Sequence, residues 1–184
     1  MGQHPFQIRT LEVIGVSEIR GLSEVLLDCV RGGASVSFML PMTLAKAEAF
    51  WRSGAMSVAR GERIVLAAEQ ADGTIIGTVS IIIAQPENQP HRGDVAKMLV
   101  HRRFRRRGIG AALLAAAERC ALGAGKTLLV LDTASNDAER LYAGHGWERC
   151  GRIPGYALLP DGKPCATTIF FKALSPAGAR TCGE

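Results

Sequence analysis

Apolar residues fall at helical spacing in three segments of this chain and gather into short runs elsewhere. Within residues 17–30, Leu22, Val25, Leu26 and Cys29 share one side of a helix that Gly32-Gly33 ends. Thr43 is placed to cap a second helix through Trp51, with Leu44, Ala47 and Phe50 or Trp51 recurring along it. Residues 109–122 form the third, with Ile109, Leu113, Ala116 or Ala117, and Cys120 inward. The shorter runs read as strands at 7–13, 63–69, 74–84 and 94–100, with a fifth at 127–131 buried on both faces. Ala71-Asp72-Gly73 marks a hairpin with the Asp-Gly step at its tip. A short helix over 136–143 and strands near 148–152 and 166–172 complete the set.

This order is a strand, two helices, a meander, a strand–helix–strand unit, a helix and two last strands. It predicts an α+β fold: one mixed sheet of about seven strands, with helices on both faces. A chain of 184 residues can bury a proper core, so one domain over 1–174 is expected, with 175–184 as a loose tail. There is no internal repeat. No apolar run approaches the roughly 20 residues that span a bilayer, and M-G-Q-H-P-F-Q is not signal-like, so a cytoplasmic protein without membrane contact is expected.

The five cysteines, Cys29, Cys120, Cys150, Cys165 and Cys182, are widely spaced and include no CxxC pair. That favours neither a disulfide framework nor structural zinc, and no metal is expected. Cys29 and Cys120 read as small core residues. The formal charge of +5 is concentrated, because five arginines crowd into residues 101–107. An anionic partner follows, although charge alone does not separate a nucleotide from nucleic acid.

The most informative stretch is D-V-A-K-M-L-V-H-R-R-F-R-R-R-G-I-G-A-A-L-L, from Asp94 to Leu114. It reads as a strand, an arginine-dense turn and the start of a helix, whose unpaired N–H groups and partial positive charge suit a phosphate. It is neither the three-glycine dinucleotide fingerprint nor a triphosphate loop ending in Gly-Lys-Ser/Thr. Gly108 and Gly110 permit close backbone approach and tight helix entry, and the arginines add charge and forked hydrogen bonds. A solvated basic turn is the plainer alternative.

Arg105, Gly108 and Gly110 match the Q/R-x-x-G-x-G/A signature of the GNAT superfamily of acyl-CoA-dependent N-acetyltransferases, which the chain resembles over roughly residues 6–174. The segment L-L-V-L-D-T-A-S-N-D-A-E-R-L-Y-A-G-H-G-W-E, from Leu128 to Glu148, follows in the family's order. Within the superfamily the chain is similar to the subgroup of the tabtoxin resistance protein. V-R-G-G-A-S-V-S-F, A-K-M-L-V-H-R-R, L-L-V-L-D-T and I-P-G-Y-A-L-L-P-D-G-K-P-C-A-T-T-I-F-F-K carry that likeness.

The resemblance implies a cleft where the strand holding Met98, Leu99 and Val100 splays from the strand at 127–131. The pantetheine arm of acetyl-CoA would lie there. The pyrophosphate would rest on Arg105, Arg106, Arg107, Gly108, Ile109, Gly110 and Ala111, with His101, Arg102 or Arg103 near the 3′-phosphate. The backbone N–H of Leu99 or Val100 would support the thioester carbonyl. Tyr142 would protonate the departing thiolate, a task that suits a phenol still protonated near pH 7. Its plain reading is an amphipathic core tyrosine.

The resemblance also implies that Asn136 contacts the cofactor arm, though its position before D-A-E-R suits helix capping equally well. Asp94 and Asp132 are implied as base, substrate anchor or both, and two carboxylates would also attract an ammonium group. His91 and His145 read as ordinary loop and helix-end histidines.

Residues 32–41 would be a mobile or substrate-facing loop. Phe38, Met39, Trp51 and Tyr156 are candidates for the acceptor side, although core packing explains each nearly as well. The expected reaction is acetyl transfer to a primary amine of a small molecule, such as an amino-acid-like metabolite or a toxin that is thereby inactivated. A homodimer is possible by family precedent. The rival readings are a basic nucleic-acid-binding domain, for which no reading helix, RNA-binding sheet signature or zinc finger is visible, and a non-catalytic acyl-CoA sensor.

Overall fold

The structure is a computed structural model that describes residues 6–175. The expectation of a loose tail falls, beyond Ser175, outside the described residues. The elements in order are β1 (Gln7–Thr10), α1 (Val16–Arg31), α2 (Leu44–Ala59), β2 (Arg63–Glu69), β3 (Ile75–Ile82) and β4 (Arg92–Val100). A single 3₁₀ turn (Arg102–Phe104) then leads to α3 (Ile109–Gly123), β5 (Leu128–Thr133), α4 (Asn136–Gly144), β6 (Glu148–Leu158) and β7 (Pro164–Ala173).

Among the described residues seven strands form one sheet in the order β1-β2-β3-β4-β5-β7-β6, and only the β4–β5 pair is parallel. This is the expected α+β fold. Alternation along β2 sends Val65 and Ala67 to one face and Leu66 and Ala68 to the other, so each face carries its own core. Leu22, Val25, Leu26 and Cys29 of α1, with Ala47 and Trp51 of α2, cover the first face. Leu113, Leu114 and Ala117 of α3 cover the second, where Tyr142 of α4 also packs. No helix among the described residues is long and apolar enough to cross a membrane.

Two departures from regular pairing create the site. The parallel β4–β5 ladder holds only for Arg92–Leu128, Gly93–Leu129 and Asp94–Val130. Beyond Asp94, β4 continues against β3 while β5 continues against β7, and the sheet opens between them. The second departure is a bulge in β4. Ala96 pairs Ser80 but Leu99 pairs Thr78, so Lys97 and Met98 together oppose Val79, and Lys97 takes φ 52°.

Several boundaries differ from the sequence reading. β1 ends at Thr10, although Leu11 still donates its N–H to the Val65 carbonyl and stays buried. α2 runs to Ala59 rather than Trp51. β5 is not buried on both faces: Leu129 and Leu131 are buried, while Leu128 and Val130 on the other face are only half-buried. β6 extends to Leu158 through an irregular register around Pro154, Gly155 and Tyr156, and is exposed along most of its length.

Candidate active site

The opening between β4 and β5 is the entrance to a cavity of about 770 Å³. Its floor is the start of α3. The first helical hydrogen bond there runs from the Ala112 N–H to the Gly108 carbonyl, so the N–H groups of Ile109, Gly110 and Ala111 have no partner in the helix. Gly108 adopts φ 79°, which a side chain would strain. A Cβ on Gly110 would lie 3.2 Å from Leu141 Cδ2 of α4, so glycine there brings the two helices together at the cavity. Free amides at a helix start, aligned with its dipole, can hold a phosphate.

The arginines around that floor divide by partner. Arg105 turns inward and its Nε donates to the Val100 carbonyl at 3.2 Å, tying the loop to the end of β4. Arg102 is bound to Asp28 of α1, through its guanidinium at 2.9 Å and through its backbone N–H at 2.8 Å. Nδ1 of His101 lies 3.7 Å from the same carboxylate. Arg106 pairs with Asp137 of α4 at 3.0 Å, across the cavity rim, and Asp137 also pairs with Arg140. Arg107 stacks on Phe104, donates to the Arg103 carbonyl and does not line the cavity. Arg103 makes no ion pair among the described residues, which leaves it the freest of the three expected 3′-phosphate contacts.

Register decides which backbone groups of β4 face the opening. His101 donates its N–H to the Ile76 carbonyl, so by antiparallel alternation Leu99, opposite Thr78, directs its own N–H toward β3. Val100 directs its backbone away from β3. Its carbonyl accepts from Arg105 and from the Cys29 thiol at 3.5 Å. Leu99 is therefore corrected as a carbonyl support: its side chain is buried against α1 and its N–H is turned from the cleft.

Tyr142 is 4% exposed, lines the cavity and packs against Trp147 and Phe170 at centroid distances of 5.7 and 5.8 Å. Its hydroxyl has no hydrogen-bond partner among the described residues. Burial, reinforced by the charge of Asp132, pushes the phenol well above its usual range and keeps it protonated.

Asp132 lines this cavity and also a neighbouring hollow of about 300 Å³, which it shares with Asp94 and Tyr156. Thr167 Oγ1 donates to Asp132 Oδ2 at 3.0 Å. Asp94 is held differently, accepting from Arg92 at 2.7 Å and from Gln85 at 3.0 Å. The structure thus brings both aspartates to one hollow, but only Asp132 reaches the large cavity as well.

Other expectations separate. Trp51 is fully buried in the α1–α2 core and lines neither hollow, so it is corrected from an acceptor contact to a packing residue. Phe38 stacks edge-on with Phe50 at 5.4 Å, just behind the cavity wall, and Met39 is exposed without lining it. Asn136 is exposed and does not line the cavity. The cap of α4 is Ser135, whose side chain accepts from the Ala138 N–H. His145 caps the end of α4 with Nδ1 2.7 Å from the Leu141 carbonyl, and His91 offers its carbonyl to Thr127 and Leu128.

The loop between α1 and α2 does face the cavity, from Gly32 to Ser37. It is joined to the β6–β7 hairpin by Ser35 to the Leu158 carbonyl at 3.3 Å and by the Leu40 N–H to the Pro160 carbonyl at 3.0 Å. The residue the sequence reading missed is Lys97. It sits in the bulge, lines the cavity and donates to Ser37 Oγ at 3.3 Å. Burial, and the charge of Arg63, hold its ammonium below the usual lysine range.

Residues 60–149 match the family model described as Acetyltransferase (GNAT) domain, so this part of the chain carries a GNAT acetyltransferase domain. Solved structures share the fold over nearly the whole chain. A GNAT superfamily phosphinothricin acetyltransferase from Sinorhizobium meliloti, in complex with acetyl-CoA, superposes with a TM-score of 0.75 at 18% identity, covering 98% of this chain and 94% of that one. A ribosomal-protein-alanine N-acetyltransferase from Brucella melitensis gives 0.73 at 23% identity, covering 91% and 99%. An N-acetyltransferase from Staphylococcus aureus gives 0.74 at 18% identity, covering 92% and 99%.

Proposed function

We propose that this protein transfers the acetyl group of acetyl-CoA to a primary amine of a small, amino-acid-like molecule by direct attack. The observation that carries the reading is the single cavity joining three unpaired amides at the start of α3 to Asp132 and Tyr142 at its inner end. The residues fit acetyl-CoA. The amides of Ile109, Gly110 and Ala111 would hold its pyrophosphate, and its pantetheine arm would lie in the opening between β4 and β5 beyond Asp94. A cavity of about 770 Å³ falls within the ordinary range of small-ligand sites. Bound there, acetyl-CoA supplies an activated acyl group.

The chain's own residues supply the proton traffic. Asp132, at the junction of the two hollows, takes a proton from the incoming ammonium nitrogen so that a neutral amine can attack. Asp94, clamped by Arg92, draws the amine into the smaller hollow beside Tyr156. Tyr142 holds its proton through the neutral range and delivers it to the departing sulfur. The N–H of Val100 is oriented to support the carbonyl oxygen, a donor worth about 3 kcal/mol at comparable sites.

The arginine cluster argues against the nucleic-acid reading, because Arg102, Arg105 and Arg106 are each engaged within the fold. Inactivation of an amine-bearing toxin, suggested by the likeness to the tabtoxin-resistance subgroup, is one physiological use of this chemistry. A homodimer in the cytoplasm is the setting that family precedent suggests. A screen of small amines that follows CoA release, with products identified by mass spectrometry, tests the proposal. N-acetylated product is expected. A protein that binds acetyl-CoA and acetylates no amine would be a sensor instead.

A further inference from the structure

Lys97 and Arg63 form a cationic corner that the acetyl-transfer chemistry above does not use. The Lys97 ammonium lies 5.4 Å from the centroid of the Phe50 ring and 5.9 Å from that of Phe38, and the Arg63 guanidinium lies 6.0 Å from the Phe50 centroid. Two like charges therefore flank one aromatic ring. Neither has a carboxylate within 4.0 Å among the described residues. Among the described residues, Arg63 Nε is buried without a partner, and the one polar contact of the Lys97 ammonium is the Ser37 hydroxyl. Glu62, beside Arg63 in sequence, is committed to Arg60 and Ser57. Half-buried cations left unpaired are costly unless an anion arrives.

The bulge explains how Lys97 reaches this corner. In a regular strand Lys97 would share the face of Val95, toward α3. The extra residue turns it to the opposite face, where Phe38 and Phe50 lie. There it borders the same cavity as Asp132. The two opposite charges influence one another yet form no ion pair, so a gap separates them.

We infer that Lys97, reinforced by Arg63, is the specificity residue for an acidic group on the acceptor, and that the acceptor is a zwitterion carrying its own carboxylate. The inference rests on the acetyltransferase reading. An amine near Asp132 and a carboxylate against Lys97 and Ser37 would complete both ends of the gap. The aliphatic or planar body of the substrate would lie along the cavity wall.

The test compares the standard amino acids with their decarboxylated amines on the wild-type protein, on Lys97→Gln and on Arg63→Gln. Calorimetry of the same compounds on the CoA-loaded protein gives a readout that needs no turnover. The wild type is expected to prefer acid-bearing acceptors, and Lys97→Gln is expected to lower the acid-to-amine ratio of kcat/KM at least tenfold. Arg63→Gln should lower it less, and Lys97→Arg should restore part of it. A wild type that acetylates acids and decarboxylated amines equally, or a Lys97→Gln variant with an unchanged ratio, overturns the inference and leaves acetyl transfer standing. Binding of amino acids that depends on Lys97, without acetylation of any compound, upholds the anion subsite and sinks the acetyltransferase reading instead.

Discussion

The buried hydroxyl of Thr167 donates to Oδ2 of Asp132 at 3.0 Å, joining β7 to the carboxylate at the seam of the two hollows. A hydrogen bond to a charged group is worth about 1.5–3 kcal/mol, and this one fixes the direction in which Asp132 points. Thr167→Val is expected to lower kcat about tenfold while acetyl-CoA affinity stays within twofold. Thr167→Ser should recover most of the rate. Steady-state kinetics beside calorimetry check this positioning role, and loss of cofactor binding in Thr167→Val would show a merely structural one.

The two aspartates should respond differently to amidation. Asp132→Asn is expected to lose about 100-fold in turnover, a typical contribution of a positioned base. Asp94→Asn should keep most of the turnover and raise KM for the amine, because its carboxylate is bound to Arg92 and Gln85. Steady-state kinetics of both variants decide the assignment; a turnover loss of about 100-fold in Asp94→Asn alone would exchange the two roles.

Tyr142→Phe removes the proposed thiolate acid while preserving the ring packed against Trp147 and Phe170. Turnover should fall about 100-fold, with little change in acetyl-CoA affinity. The raised phenol also has a stability consequence. A group whose folded-state pKa lies above its unfolded value of about 10 stabilises the fold fully below that pH and loses the contribution as pH climbs beyond it. Resistance of the wild type to urea should fall above about pH 10, and Tyr142→Phe should flatten that decline.

Glu118 holds the far side of the Tyr142 pocket. It accepts from Trp147 Nε1 at 2.8 Å and from the Lys172 ammonium at 2.7 Å. Glu118→Ala strands a buried indole N–H and should cost about 2 kcal/mol of stability. Chemical denaturation measures this, and a residual kcat close to wild type at low temperature would confirm that Glu118 serves packing rather than catalysis.

The parts of the site that belong to contiguous backbone were legible in the sequence. Arg105, Gly108 and Gly110 announced a helix start with free amides because their spacing is local, and Ala71-Asp72-Gly73 marked the turn between β2 and β3 for the same reason. What escaped depends on pairing. The bulge that re-aims Lys97 exists only in register against Val79, and nothing in A-K-M-L signals it. Leu99 and Val100 are equivalent as sequence, and only the ladder with β3 tells which N–H is spent.

Trp51 shows a different limit. A large aromatic suits a substrate wall and a core equally well, and only its complete burial decides between them. Ser135 and Asn136 are both competent caps, so choosing between them required the helix boundary itself. β6 runs past the strand expected near 148–152 because its partner β7 resumes the pairing at Ala157 and Leu158, beyond the irregularity.

Gly108 is the most economical probe of the phosphate-holding loop. With φ 79°, alanine there costs about 1–2 kcal/mol in a left-handed backbone while its Cβ would meet no atom within 4 Å. Gly108→Ala should therefore fold and still lose at least tenfold in acetyl-CoA affinity, because the amides of Ile109 and Gly110 are displaced.

Calorimetric titration of the wild-type protein with acetyl-CoA, set against duplex DNA at physiological salt, tests the central claim most directly. One equivalent of acetyl-CoA is expected to bind, weakened in Gly108→Ala, with little heat from DNA. Tight binding of DNA with no binding of acetyl-CoA would contradict the account.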